Sequence, residues 1–161
     1  MPRIPSIYLE TTIFNFPFVD DAPQYRNDTL QLFKEIKTGK FRPFTSEYVT
    51  RELEAAEDLL REKRLNLIYE YGVKIISTNN EIENLALKYI EAGIIPAGYN
   101  TDGLHIAAAT IAGLDFIVSL NFRHIVKRKT IEKTELINFQ EGYKRIGIYT
   151  PAEVIDYAEN F

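Results

Sequence analysis

The chain alternates short apolar runs with longer stretches whose apolar residues recur every three or four positions, and Gly, Pro, Asn and Ser stand between the two kinds. Ile7, Tyr8 and Leu9 form the first short run, which ends in Glu10, Thr11 and Thr12. Asn15 to Gln24, with Pro17 and Pro23, reads as a loop. Tyr25 to Thr38 reads as an amphipathic helix with Leu30, Phe33 and Ile36 on its buried stripe and Gly39 as its stop. Phe41 to Thr45 is a weaker strand. Ser46 then caps a helix whose inner face is Val49, Leu53 and Ala56; Glu52 lies at the edge of that face, where it can reach inward. A helical stretch over Leu59 to Tyr71, a strand over Val73 to Ser77 opened by Gly72, and a helix with an Asn80 and Glu83 capping box ending at Gly93 follow.

Residues 96–125, PAGYNTDGLHIAAATIAGLDFIVSLNFRHI, predict a helix and a strand back to back. Asn100 serves as N-cap of a helix running through Ala112 to a stop at Gly113, which puts Asp102 in the first turn beside exposed backbone N–H groups. Leu114 to Ser119 is the pattern of a strand buried on both faces, and polar Ser119, Asn121, Arg123 and His124 cluster at its carboxyl end. Lys127 to Gly142 predicts a basic helix, Ile146 to Tyr149 a last strand, and Thr150 to Glu153 a capping box with Pro151 at the first helical position. Strands alternating with helices imply an α/β fold, a mostly parallel sheet covered on both faces, in one domain over residues 1–161 without repeat or linker.

Composition narrows the chemistry. A 161-residue chain of 45% hydrophobic residues has enough to bury a core. No apolar run approaches the ~18 residues of a membrane span, and the N-terminus lacks a signal-peptide pattern, so the expectation is a soluble, cytoplasmic protein with no membrane contact. Without Cys there are no disulfides or thiolate sites, so any metal rests on oxygen donors or the two His, which favours Mg²⁺ or Mn²⁺. The net charge of −4 is uneven: the segment from Arg123 to Arg145 carries +4 and the remainder −8. Arg123, His124, Lys127, Arg128 and Lys129 open that segment beside the acidic end, where they can bind the phosphates of a polyanion; a solvated helix face is the plain alternative.

Glu10, Glu52 and Asp102, with the carboxamide of Asn121 and the hydroxyls of Thr11 and Ser119, make an all-oxygen set of the kind that holds hard cations, which polarise a phosphodiester and acidify water. Each also has a plain reading: a strand-end charge, a solvated helix acid, a cap-region charge, a turn residue. His105, one turn from Asp102, can orient it, although a lone His on an Ala-rich helix reads first as a hydrogen-bonded packing residue. Phe14, Phe16 and Phe18 either stack bases or cover a partner from an apolar loop, with burial against the domain as the expected outcome.

IYLETT, TSEYVTREL, NTDGLHIAAATIAG and DFIVSLNFRHI, in that order over nearly the whole chain, resemble the PIN-domain family. The resemblance implies a PIN-like, Rossmann-like α/β/α sandwich and a metal-dependent ribonuclease acting on single-stranded RNA with Mg²⁺ or Mn²⁺; many relatives are toxins of toxin–antitoxin pairs. It places Glu10 at the first acidic position, usually Asp, Glu52 at the second, Asp102 at the third and Asn121 at a fourth that is often Asp, with Thr11 and Ser119 at hydroxyl positions beside the metal centre. Single-stranded RNA, an antitoxin protein and a second copy of the chain, as a homodimer, are the partners it points to. The rival expectation is a non-catalytic PIN-like RNA-binding or protein-interaction module whose metal affinity is weakened by Glu10 and Asn121.

Overall fold

The short apolar runs form the strands, and the stretches with apolar residues every three or four positions form the helices. The computed structural model describes residues 3–159. Along the chain these are β1 (Ser6–Leu9), α1 (Thr11–Asn15), a 3-10 turn (Phe16–Phe18), α2 (Pro23–Lys37), β2 (Arg42–Ser46), α3 (Glu47–Ala55), α4 (Arg61–Glu70), β3 (Lys74–Ile76), α5 (Asn80–Glu91), α6 (Asn100–Ile111), β4 (Phe116–Val118), α7 (Arg128–Gln140), β5 (Gly147–Tyr149) and α8 (Pro151–Glu159). The sheet has the order β3-β2-β1-β4-β5, and every pairing is parallel. β1 and β4 are buried at every residue, as central strands covered on both faces must be, whereas the edge strand β3 exposes Lys74 and Ile75. α2 packs on α8, while α5 lies against α6, with α3 beside α6 and α7 beside α5. The chain builds β2 and β3 on one side of β1 and then β4 and β5 on the other, so strand order reverses between β1 and β4. In open parallel sheets the crevice at that reversal, outside the strands' carboxyl ends, is where ligands bind.

Several local expectations shift by a residue or more. Asn79, not Asn80, caps α5, its Oδ1 accepting from Ile82 N at 2.8 Å. Asn100 is already helical, and Tyr99 stands at the N-cap of α6 with no side-chain bond. Leu30 points outward; Leu32, Phe33 and Ile36 form the buried stripe of α2, since at about 100° per residue Leu30 lies roughly 120° around the helix from Ile36. Between β1 and the loop expected over Asn15 to Gln24 stands α1, capped by Glu10 and carrying a fully buried Phe14, and that loop is cut short by the 3-10 turn and by α2, which starts at Pro23. Ser46 caps α3 through Tyr48 N at 3.2 Å. The box at α8 is reciprocal, Thr150 N to Glu153 Oε1 at 3.0 Å and Glu153 N to Thr150 Oγ1 at 3.2 Å.

At the opposite end of the sheet Asp115 ties the starts of β1 and β4 together. Its Oδ2 accepts from Ser6 N at 2.9 Å and Ser6 Oγ at 3.1 Å, while Oδ1 accepts from Lys144 Nζ at 2.8 Å and pairs with Arg3. Burial works to raise the carboxyl pKa, but Lys144, Ser6 and Arg3 outweigh it and bring it down to about 2. A depressed carboxyl stabilises the fold fully above its unfolded pKa of about 3.9, and that stabilisation is lost as pH falls toward 2. D115N is therefore expected to lower stability at pH 7 by about 1–2 kcal/mol after allowance for the exposed cations, with the gap to wild type closing by about pH 2 in denaturant melts. A gap that persists at pH 2 would mean that the charge is not what stabilises this corner.

Candidate active site

Glu10 leaves β1 at the crevice and is only 3% exposed. Its Oε1 accepts from Thr12 Oγ1 and Ser119 Oγ, both at 2.6 Å, and from Thr12 N at 3.3 Å. Thr12 Oγ1 in turn accepts from Leu120 N at 2.8 Å, so one hydroxyl spans the ends of β1 and β4. Burial pushes the Glu10 carboxyl above the ordinary range, against the opposing pull of His105, Ser119 and Thr12. Burial disfavours the charged form of this carboxyl, and a cation beside it would offset that penalty.

Glu52 reaches inward from α3 although 41% of its side chain stays exposed. Its Oε1 accepts from Thr11 Oγ1 at 2.7 Å and lies 2.6 Å from His105 Nε2. Burial works to raise its pKa; the His105 hydrogen bond and charge, with the Thr11 bond, outweigh that and hold it below the ordinary range. His105 is wholly buried on α6. Burial works against its charged form, but the Glu52 bond and the charges of Glu10, Glu52 and Asp102 raise the imidazole pKa above the ordinary value. Its Nδ1 lies 2.7 Å from the Tyr8 hydroxyl, itself 2.6 Å from Ser46 Oγ. As an imidazolium, His105 donates to both Glu52 and Tyr8, and the Tyr8 hydroxyl passes its own proton bond to Ser46.

Asp102 stands in the first turn of α6, its Oδ1 accepting from Asn121 Nδ2 at 3.1 Å and its Oδ2 2.8 Å from His124 Nδ1. Asn121 Oδ1 accepts from His124 N at 3.0 Å, and Asn121 N donates to Ser119 Oγ at 2.9 Å. Ser119 thus joins Glu10 to the Asp102 and Asn121 pair, while His105 joins Glu52 to the same helix. Glu10, Ser119, Asn121 and Asp102 form one hydrogen-bonded network and Thr11, Glu52 and His105 another, and the two start from adjacent residues at the end of β1. Among the basic residues, His124 is nearly buried and committed to Asp102, Arg123 is exposed with its guanidinium 5.2 Å from the centre of the Tyr99 ring, and Lys127, Arg128 and Lys129 are exposed where α7 begins. The first turn of α7 carries no acid, so these cations add to the positive end of the helix dipole; Arg128 approaches Glu132 only at 3.6 Å.

The donor types suit a hard divalent cation: carboxylates, a carboxamide, hydroxyls and no sulfur. Among the described residues the side-chain hydrogen bonds to Glu10 and to Glu52 fall on Oε1, whereas Asp102 uses both oxygens. Among the described residues no three acidic or imidazole side chains converge closely enough to grip an ion in their present rotamers; they satisfy hydroxyl, amide and imidazole donors instead. His105 is the buried, hydrogen-bonded residue that its place on an Ala-rich helix predicts, bonded to Glu52 and Tyr8 and not to Asp102, whereas the sequence offered no role for Thr12 or Tyr8. The one available signal was the Thr-Thr pair directly after Glu10, two short hydroxyls at a strand end.

No family model and no curated protein matches the chain. The structure is similar to the crystal structure of VapBC2 from Rickettsia felis bound to a DNA fragment from their promoter, with a TM-score of 0.55 and 12% identity over 90% of this chain and 98% of that one. It is also similar to the structure of FitAB bound to an IR36 DNA fragment, with a TM-score of 0.53 and 10% identity over 90% of this chain and 94% of that one. The fold is PIN-like. At such identities the likeness is one of fold, and a PIN-like sheet by itself does not assign chemistry; the side chains at the β1 and β4 crevice must carry it. Among the described residues no helix is long and apolar enough to cross a membrane.

Proposed function

We propose that the chain is a metal-dependent ribonuclease that hydrolyses phosphodiester bonds of single-stranded RNA, acting as the toxin of a toxin–antitoxin pair. The observation that carries this reading is the pair of hydrogen-bonded networks at the strand reversal, one joining Glu10 through Ser119 and Asn121 to Asp102 and the other joining Thr11, Glu52 and His105. Glu10, Glu52 and Asp102, assisted by Asn121, would hold Mg²⁺ or Mn²⁺, which when bound polarises the scissile phosphodiester and acidifies the attacking water. Thr11, Thr12 and Ser119 aim the two glutamates, and His105 fixes Glu52. The likeness of fold to VapBC2 and FitAB supports a toxin role with an antitoxin protein as partner. The test is incubation of the purified protein with end-labelled single-stranded RNA: cleavage requires Mg²⁺ or Mn²⁺, stops with EDTA and returns when metal is restored. A second reading, a non-catalytic RNA-binding or protein-interaction module, draws on the internal hydrogen bonds that satisfy both Asp102 oxygens. Calorimetric metal titration separates the two.

Two expected outcomes follow from the charges. Reversing Lys127, Arg128 and Lys129 to Glu should weaken binding of single-stranded RNA and reduce the slope of log affinity against log salt by about 2–3, with metal affinity unchanged. Equal RNA affinity at low salt would make these cations a solvated face. At Asn121, three carboxylates suffice for one tight ion, and a second should enter mainly with the RNA phosphate. N121D puts a carboxylate against Asp102 in place of the Nδ2 donor, so it should cost about 1 kcal/mol of stability in EDTA and tighten the second Mn²⁺ in calorimetry. Two equally tight ions in the unmodified protein would sink that account.

A further inference from the structure

Beside the carboxylates lies an aromatic group that the hydrolytic chemistry does not use. Phe122 follows Asn121 directly, and its ring centre lies 5.4 Å from that of Tyr25 on α2, the planes inclined by 40°. Both rings are substantially open to water, Tyr25 at 41% and Phe122 at 44%. Phe16 braces Tyr25 edge-on at 6.0 Å. The turn that carries Phe122 is pinned by Phe122 N to Leu120 O at 3.1 Å and by Ile125 N and Val126 N to Asn121 O at 3.2 and 2.8 Å. Two rings from distant parts of the chain are thus held against each other with much of their surface open to water. One residue further on, the exposed Arg123 guanidinium lies over Tyr99, three residues before Asp102.

We propose that Tyr25 and Phe122 form a stacking platform for one unpaired nucleobase of an RNA strand, with Arg123 on the adjoining phosphate, so that the strand is registered against Asp102 and Asn121. The choice of RNA as occupant rests on the ribonuclease reading above and on charge: the basic residues Arg123, Lys127, Arg128 and Lys129 begin where the rings end, which suits an anionic chain carrying flat apolar groups. A base in a duplex has both faces covered by its neighbours, so the platform selects single strands.

The test uses a short single-stranded RNA carrying one 2-aminopurine, titrated in EDTA so that nothing is cleaved; the chain has no Trp to interfere with its emission. Wild type should quench 2-aminopurine on binding, and F122A and Y25A should each weaken binding about 5- to 150-fold with the quench reduced, the range measured for loss of one base stack. F122Y should retain both affinity and quench. F122L, which keeps apolar bulk without a π-face, should show the same reduced quench as F122A while melting like wild type, so the result does not depend on Y25A folding. Unchanged affinity and quench in F122A and Y25A would overturn the platform. Metal-dependent cleavage with an unaltered KM in both variants would overturn it too while leaving the ribonuclease reading in place. A wild type that quenches, shows a reduced quench in F122L and yet never cleaves would uphold the platform and refute the nuclease.

Discussion

D102N is expected to lower RNA cleavage by about two to three orders of magnitude at saturating Mg²⁺ or Mn²⁺ and to melt close to wild type. Loss of one preorganised electrostatic contact at a reacting centre typically costs about 10²–10³ in rate. The fold loses little, because Asn has the same shape and can still accept from Asn121 Nδ2, and a first-turn acid contributes only about 0.3–1 kcal/mol through the helix dipole. A thermal melt and a nuclease assay on the same preparation decide it. Undiminished cleavage would remove Asp102 from the site, and an unfolded variant would make it a structural residue of α6.

The largest stability effect is expected at His105. H105Q removes a buried imidazole from between Glu52 and Tyr8, leaving Tyr8 to Ser46 alone and Glu52 to Thr11. Breaking a fully buried pair costs about 3–5 kcal/mol; here about 2–3 kcal/mol is expected, because Glu52 opens to water. The pH dependence carries a sign. The imidazole pKa is raised in the fold, so its stabilisation is complete below the unfolded value of about 6.5 and is lost as pH rises through the folded value. The Glu52 carboxyl is lowered, so its share is present above the unfolded value of about 4.3 and lost as pH falls through the folded one. Glu10 runs the other way, since a carboxyl raised by burial penalises the fold increasingly as pH rises. The gap between wild type and H105Q in EDTA should therefore be widest at about pH 5–6 and narrow on the alkaline side. Urea melts across that range check it, and a gap independent of pH would mean that His105 acts by shape alone.

The sequence by itself determined the strands at β1 and β4, the carboxylate at the end of β1 and the one in the first turn of α6, the Ser46 cap and the box at Thr150, because periodicity and capping are local and act within one turn or a few residues. Glu52 was legible as a residue able to turn inward for the same reason: its angular place on α3 follows from spacing to Val49 and Leu53. Glu10 as the cap of α1 was not legible, since a five-residue helix offers too little period to detect. Only the tertiary structure decided who meets whom. His105 pairs with Glu52, 53 residues away, rather than with Asp102 on its own helix, because α3 and α6 pack together and bring the Glu52 carboxylate to the imidazole. Ser119 meets Glu10, and Phe122 comes to lie beside Tyr25, because β4 pairs with β1 and not with β3, the strand that precedes it in the chain. Strand order is set by which apolar faces bury one another across the whole core, a non-local choice that no window of residues contains.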